Sequence, residues 1–179
     1  MTARFVSLGF KPAAGQEQVV PTGVYTMLRF PYGAQENADP WDMHSRVHAG
    51  RIVTYADPES GLIVPRSAGI GCLELNIIWT DSDYAELRDV FVRDPLGPEP
   101  DFTGYDHRAR TPGENCFTKV HWLVVRPGVP LGVQVAHDGT TAAKVRMAQF
   151  KLTIIDAEEP PVERPNPERP AATDPWPDM

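Results

Sequence analysis

The chain has 179 residues, of which 41% are hydrophobic, and a formal net charge of −7. This length suffices for one domain with a buried core, and no stretch reaches the roughly 18 to 20 apolar residues that a membrane span needs. The acidic balance argues against a nucleic-acid-binding surface.

The first third of the chain contains short runs of strand character. Residues 3–10 alternate, which predicts a strand at the N-terminus rather than the apolar core of a signal peptide. If the protein acts outside a cell, Sec export is therefore not the expected route. Residues 24–30 are rich in strand formers and end at Pro31, which predicts a second strand. A polar loop over residues 32–50 and a short strand over residues 51–55 follow.

The stretch from Leu62 to Arg93 predicts three strands in succession. In its longest run, Gly69–Trp79, large apolar side chains alternate with a second, more polar set. One face is predicted to carry Cys72, Glu74, Asn76 and Ile78. Ile70 falls on the opposite face together with Leu73, and this change of parity predicts a β-bulge at Gly71.

The rest of the chain contains the longest irregular section and three further strands. Residues 94–115 are rich in proline and glycine, so a long loop is predicted, and a loop of this length in a compact domain is usually functional or packed on a partner. Strands are predicted over residues 116–125, 130–137 and 143–155. About eight strands at short spacing, with no convincing helix, predict an all-β antiparallel sandwich, and the jelly roll is the common eight-stranded form.

Composition changes sharply after Ile155. Residues 156–179 are rich in proline and charge and lack the apolar side chains of a core. The chain is therefore predicted to have a sandwich domain over residues 1–155 and an extended tail over residues 156–179. Trp176 suggests that this tail lies along a neighbouring subunit, although an idle tail fits the composition too.

The sequence contains no convincing catalytic or metal-binding constellation. His44 and His48 are spaced like a helical zinc pair but lie in a predicted loop without a glutamate partner. An acidic cluster at a predicted turn is read as a solvated turn rather than a calcium site. That cluster consists of Asp81, Asp83, Glu86 and Asp89. Glu74 is the one tempting acid for glycoside chemistry, but pairing with an arginine such as Arg88, or exposure at an interface, is the favoured interpretation.

The two cysteines, Cys72 and Cys116, lie in apolar runs and are read as small buried hydrophobic residues. A disulfide between them stays open at this stage, because it requires the two strands to be neighbours. Partner or ligand contact is predicted for aromatic side chains outside the predicted strands. These are Tyr32, Trp41, Tyr105 and Trp176.

The order of features resembles the C1q/TNF-type jelly roll, especially its variants in tail and fibre proteins of bacterial viruses. The segments that carry the resemblance are Thr22–Phe30, Trp41–His44, Leu62–Pro65 with Gly69, Ile77–Trp79, Arg88 and Arg126–Val135. The resemblance spans about residues 18 to 155. The aspartate that the family has in the last of these segments is missing here, and the predicted loop over residues 94–115 is longer than in the family.

The resemblance implies a homotrimer without cofactor or metal that acts by binding rather than as an enzyme. The leading hypothesis is a structural virion protein of a tailed bacteriophage, a minor tail or fibre-type protein assembled in the host cytoplasm. Its expected partners are itself, other virion proteins and a host surface glycan or protein. A capsid decoration protein is the first alternative, and a carbohydrate-binding or sugar-processing jelly roll is the second.

Overall fold

The fold is given by a computed structural model, which describes residues 2–34 and 37–155. One short 3-10 helix spans Pro58–Gly61. The strands of the described ranges are, in chain order, β1 (Ala3–Phe10), β2 (Gln18–Val20), β3 (Thr26–Met27), β4 (Val47–His48), β5 (Arg51–Ile52), β6 (Gly69–Trp79), β7 (Glu86–Arg93), β8 (Asp101–Ala109), β9 (Asn115–Val125), β10 (Leu131–His137) and β11 (Ala143–Ile155).

The strands form two antiparallel sheets and one small hairpin. The first sheet has the order β1-β11-β6-β9, and β2 extends it by pairing with the start of β11. The second sheet has the order β3-β10-β7-β8, and β4 pairs only with β5. The predicted all-β antiparallel sandwich is therefore confirmed.

The core lies between the two sheets and is rich in aromatic side chains. The Phe150 ring on β11 stacks on Phe30 at 6.2 Å and on Phe91 at 6.0 Å between ring centroids. Because Phe91 belongs to β7, these contacts join the first sheet to the second. At one end of the core, Trp79 packs edge to face against Tyr84. All five rings are fully buried, as expected for side chains that each remove a large apolar area from water.

Three local predictions about the strands are wrong. Of the three strands predicted between Leu62 and Arg93, only β6 and β7 form, and residues 62–65 contribute only an isolated bridge between Ile63 and Leu131. Residues 94–115 are not one long loop, because β8 occupies residues 101–109 and pairs with β7. The predicted bulge at Gly71 is also absent from the pairing of β6. That strand keeps one register with β9 from end to end, so Ile70 shares a face with Cys72. The register shift lies instead in β11, between Val145 and Met147.

The described strands end at Ile155, and the predicted tail over residues 156–179 lies outside the described residues. Among the described residues, no helix is long and apolar enough to cross a membrane.

Candidate functional site: the outer face and the open edge of the sandwich

The side of the first sheet that points away from the core is the outer face. Inward and outward side chains alternate along β6, where Leu73 and Leu75 are fully buried and Glu74 between them is partly exposed. The predicted face of β6 is thus confirmed, with Ile70 added to it. Three neighbouring strands contribute most of this face: Ile70, Cys72, Glu74, Asn76 and Ile78 from β6, Cys116, Thr118, Val120, Trp122 and Val124 from β9, and Met147, Gln149, Lys151, Thr153 and Ile155 from β11.

Large apolar side chains are exposed at one end of this face. Val120, Trp122 and Val124 are 55%, 56% and 58% exposed and follow one another on the outward side of β9. Ile70, which is 40% exposed, stands between Val124 and Ile155 in the register of the sheet. Monomeric soluble proteins seldom expose large contiguous apolar patches, so a patch of this kind often marks a binding surface.

The middle of the outer face is polar. Lys151 Nζ donates to Glu74 Oε1 at 2.9 Å across neighbouring strands. Glu74 therefore pairs with Lys151, whereas the predicted partner Arg88 binds Glu86 at 2.8 Å. One position further along, Asn76 stands opposite Gln149, and the Asn76 Oδ1 atom is buried without a partner among the described residues.

The sandwich has an open edge where β8 and β9 lie side by side. Each is the last strand of its sheet, so each has one unpaired backbone edge. The aromatic rings of Phe102 and Tyr105 stack at 6.3 Å on β8 and are 42% and 57% exposed. Gly104 between them has φ +59°, a left-handed conformation that tolerates glycine best. Exposed edge strands of this kind favour pairing with another chain.

A buried ion pair lies beneath the open edge. Lys119 Nζ on β9 donates to the Asp89 carbonyl oxygen at 3.1 Å and also to the Asp89 carboxylate. Their side chains are only 7% and 1% exposed. Burial raises the pKa of Asp89, while the Lys119 ammonium opposes this shift. The ammonium also stands 4.8 Å from the Phe91 ring centroid, so it fixes β9 against β7 of the other sheet.

The predicted contact residues do not form one site. The Tyr32 ring stacks on His44 at 4.4 Å, and burial raises the pKa of Tyr32 to about 12. Trp41 packs edge to face on Phe5 at 5.3 Å and lies partly buried against the core. Tyr105 is the one that stands exposed, on the open edge, whereas Trp176 lies outside the described residues.

The other sequence candidates have ordinary structural partners. His44 is buried, and its Nε2 atom donates to the Ser60 carbonyl oxygen at 2.9 Å. The acidic side chains predicted to cluster at a turn bind different groups. Asp81 pairs with Arg110, Asp83 with Thr140 and Thr141, Glu86 with Arg88, and Asp89 with Lys119. Among the described residues, no group of three or more His, Cys, Asp or Glu side chains is placed to hold a metal ion.

The two cysteines are free and lie on the outer face, so the prediction that both are buried is wrong. Cys116 is exposed and Cys72 is half-buried. They do lie on neighbouring strands, but Cys72 stands opposite Trp122 and Cys116 opposite Ile78. Six positions of β6 separate them, about 20 Å at strand spacing, which is too far for a disulfide.

A groove of about 580 Å³ adjoins the outer face where the β1–β2 loop passes over β11. Its walls include the apolar side chains of Phe10, Ile78 and Met147. Its charged side chains are Lys11, Glu17 and Arg146. The groove continues the outer face toward β1, so the surface available to a partner spans the whole width of the first sheet.

Sequence reasoning missed the exposed strip on β9. The signal was present, because β9 carries apolar side chains on both faces: Val120, Trp122 and Val124 point outward, and Leu123 and Val125 point inward. A strand that is apolar on both sides is typical of a sheet covered on both faces.

Neither a family model nor a curated protein matches this sequence. Solved structures do match. Eiger TNF from S. frugiperda aligns with a TM-score of 0.54 at 12% identity, covering 90% of this chain and 99% of that chain. The globular domain of zebrafish complement 1qA protein aligns with a TM-score of 0.56 at 8% identity, covering 87% of this chain and 99% of that one.

The fold is a C1q/TNF-like jelly roll. At these identities the likeness shows the fold alone, and it confirms the fold that the order of sequence features predicted. A C1q/TNF-like jelly roll is compatible with a trimeric structural or binding protein.

Proposed function

We propose that this protein is a homotrimeric structural and recognition module that acts by binding, without catalysis of its own. The observation that carries the proposal is the exposed strip formed by Val120, Trp122 and Val124 on β9. Each of these side chains leaves more than half of its surface in water, at the open edge of a sandwich.

A second copy of the chain is the occupant that best explains this strip. The strip continues into Ile70 and Ile155 on the outer face, so one broad surface of the sheet is left without a cover. Most soluble oligomers are closed, symmetric assemblies of identical chains, so another copy of the chain is a natural cover for such a surface. The family that the sequence resembles forms homotrimers, which supports a ring of three.

The oligomeric state tests the proposal. Sedimentation equilibrium at micromolar concentration is expected to give three times the chain mass for the natural protein. Trp122→Asp places a charge in the centre of the strip and is expected to give monomers with unchanged far-UV circular dichroism.

The matched control is Ile52→Asp, because Ile52 is 70% exposed on the β4–β5 hairpin, away from the outer face. This variant is expected to remain trimeric. A natural protein that is monomeric throughout this range, or a Trp122→Asp variant that still assembles, would contradict the proposal.

The proposed setting is the virion of a tailed bacteriophage, as a minor tail or fibre-type protein assembled in the host cytoplasm. The resemblance in the order of sequence motifs supports this setting. Gold-labelled antibody against the chain is expected to mark the tail of intact particles. At that position the protein itself would contact a host surface glycan or protein. Label on the head would support a capsid decoration protein instead, and unlabelled particles would rule out both positions.

A further inference from the structure

The groove beside β11 is one of two depressions that share the end of β1 and the start of the following loop. The larger, of about 580 Å³, extends over β11, and the smaller, of about 390 Å³, extends from Phe10 and Pro12 toward Pro31 and Tyr55. The Tyr55 ring stacks on Phe10 at 6.1 Å between ring centroids. Aromatic-lined grooves of this kind bind extended, proline-rich segments.

The larger depression and its margin carry a small excess of positive charge. Lys11 and Arg146 line it together with Glu17. Lys144 lies 3.8 Å from the Glu17 carboxylate, and Glu114 binds Arg146 at 2.9 Å. Three cations thus stand against two carboxylates, in a chain whose net charge is −7. A ligand that suits both the walls and this charge is an acidic segment with prolines and an apolar anchor.

One segment of this chain has that chemistry. Seven of the 24 residues from 156 to 179 are proline, and the segment has seven acidic against two basic side chains. Its one aromatic side chain, Trp176, stands between Pro175 and Pro177. Prolines favour an extended backbone, which is the form that aromatic-lined grooves bind.

The tail is long enough to reach the groove of its own chain. β11 ends at Ile155, and Met147 in the groove lies eight residues earlier, about 26 Å along the strand. The 21 residues from Ile155 to Trp176 span about 65 Å at the rise of polyproline II. A tethered segment is present at its own groove at a concentration of about 1 mM, so even a weak contact is occupied.

We infer that the tail, residues 156–179, docks in the groove of its own chain, with Trp176 against the apolar walls and acidic side chains near Lys11 and Arg146. The proposed self-association is not required for this contact, because the exposed strip on β9 extends toward the opposite end of the outer face, where Val124 pairs with Ile70. The groove is then a site for acidic, proline-rich segments. A partner segment of the same chemistry has to displace the tail.

Crosslinking in the full chain tests the docked tail. In a background with Cys72→Ser and Cys116→Ser, Ala14→Cys places a thiol on an exposed wall of the groove. Asp178→Cys places the second thiol beside Trp176. A short bis-maleimide is expected to join the two thiols within one chain, and mass spectrometry of the digested product identifies the joined peptides.

The matched control moves the first thiol to Ala85, an exposed alanine between β6 and β7 at the same end of the sandwich as the groove. An undocked tail reaches Ala14 and Ala85 at similar rates, whereas a docked tail is expected to react about tenfold faster at Ala14. Adding Trp176→Ala is expected to remove this preference. Equal rates at the two positions, crosslinks mainly between chains, or a preference that survives Trp176→Ala would each overturn the inference.

Charge reversal at the groove is the second test. Lys11→Glu places a carboxylate against the acidic tail and is expected to reduce the preference for Ala14 up to about fivefold at low salt, the effect of one surface ion pair. Arg126→Glu makes the same charge change in the exposed turn between β9 and β10, at the opposite end of the sandwich. This control is expected to keep the preference for Ala14. Equal losses in both variants would show that net charge acts on the tail without a docking groove, which contradicts the inference.

Discussion

At the scale of single residues, the ion pair between Lys119 and Asp89 should be the most sensitive polar contact of the domain. Lys119→Met leaves the Asp89 carboxylate buried without a cation, which is expected to lower the free energy of unfolding by about 3–5 kcal/mol. Adding Asp89→Asn removes the buried charge and should recover much of this loss. Urea unfolding at fixed protein concentration measures both changes.

The control for this prediction is Arg146→Met. Arg146 binds Glu114 at 2.9 Å, but the two side chains are 49% and 45% exposed. An exposed pair contributes about 0–1 kcal/mol, so this variant should be close to the natural protein. Equal effects of Lys119→Met and Arg146→Met would mean that burial does not strengthen the inner pair.

His44 predicts a pH dependence of stability. Burial lowers the pKa of His44, and the hydrogen bond to the Ser60 carbonyl oxygen only partly opposes this shift. The unfolded chain then binds the proton more tightly than the folded one. Stability that is present above the unfolded pKa of about 6.5 is lost as the pH falls through that value toward the folded pKa.

The variant His44→Gln keeps a donor for Ser60 but does not titrate. Urea unfolding between about pH 7.5 and about pH 5.5 should show a shallower decline for the variant, by up to about 1.4 kcal/mol per pH unit. His121, whose pKa burial also lowers, is present in both proteins, so its contribution cancels. Parallel declines would show that His44 is not responsible.

At the scale of elements, the sequence predicted strands where the local pattern was strong and failed where pairing decides. β6 and β9 are long, alternating and rich in strand formers, and both were predicted nearly to their ends. β8 was missed because three prolines precede it and because Phe102 and Tyr105 are its only large apolar side chains. An edge strand buries little of itself, so its local signal is weak and its partner β7 determines its place.

The register of the strands in the first sheet could not be predicted from the local sequence pattern either. The change of parity near Gly71 suggested a bulge in β6, but the extra residue lies in β11 beside Arg146. Glu74 was expected to bind Arg88, which lies on the other sheet, and it binds Lys151 on the neighbouring strand instead. Strand pairing across more than 70 residues of sequence decides which side chains form the outer face. The outer face was therefore not predicted as one surface.

Gly104 links the shape of β8 to assembly. A Cβ atom at this position would lie 3.1 Å from the His121 ring, and the backbone has φ +59°. Gly104→Ala is expected to cost about 1–2 kcal/mol of stability. It is also expected to weaken the proposed self-association, because a shift of the β8 backbone at Gly104 displaces the neighbouring Tyr105 ring on the open edge. Unfolding and sedimentation of the same variant measure the two effects.

Gly113→Ala is the matched control for this change. Gly113 has φ +82° with open space around its Cβ position, so the backbone strain is similar and the open edge is untouched. This control should lose stability but keep its association constant. A loss of association in both variants would assign the effect to general destabilisation.

At the scale of the whole molecule, the unpaired edges of β8 and β9 and the uncovered outer face both favour contact with another chain. The sandwich closes its core within one chain and leaves β8 and β9 each without a strand partner on one side, among the described residues. Under the proposed self-association, a second copy that packs at this edge protects the unpaired strands and covers the exposed strip on β9 as well.

The last prediction concerns the boundary between the domain and the tail. All described strands and the core lie before residue 156, so a chain that ends at Ile155 is expected to fold and assemble like the full chain. Residues 156–179 contain seven acidic and two basic side chains and thus carry −5 of the total charge of −7. Removing them should leave far-UV circular dichroism and oligomer size unchanged, while the isoelectric point rises. Loss of the oligomer on truncation would instead indicate that residues 156–179, with Trp176, contribute to the contact between copies.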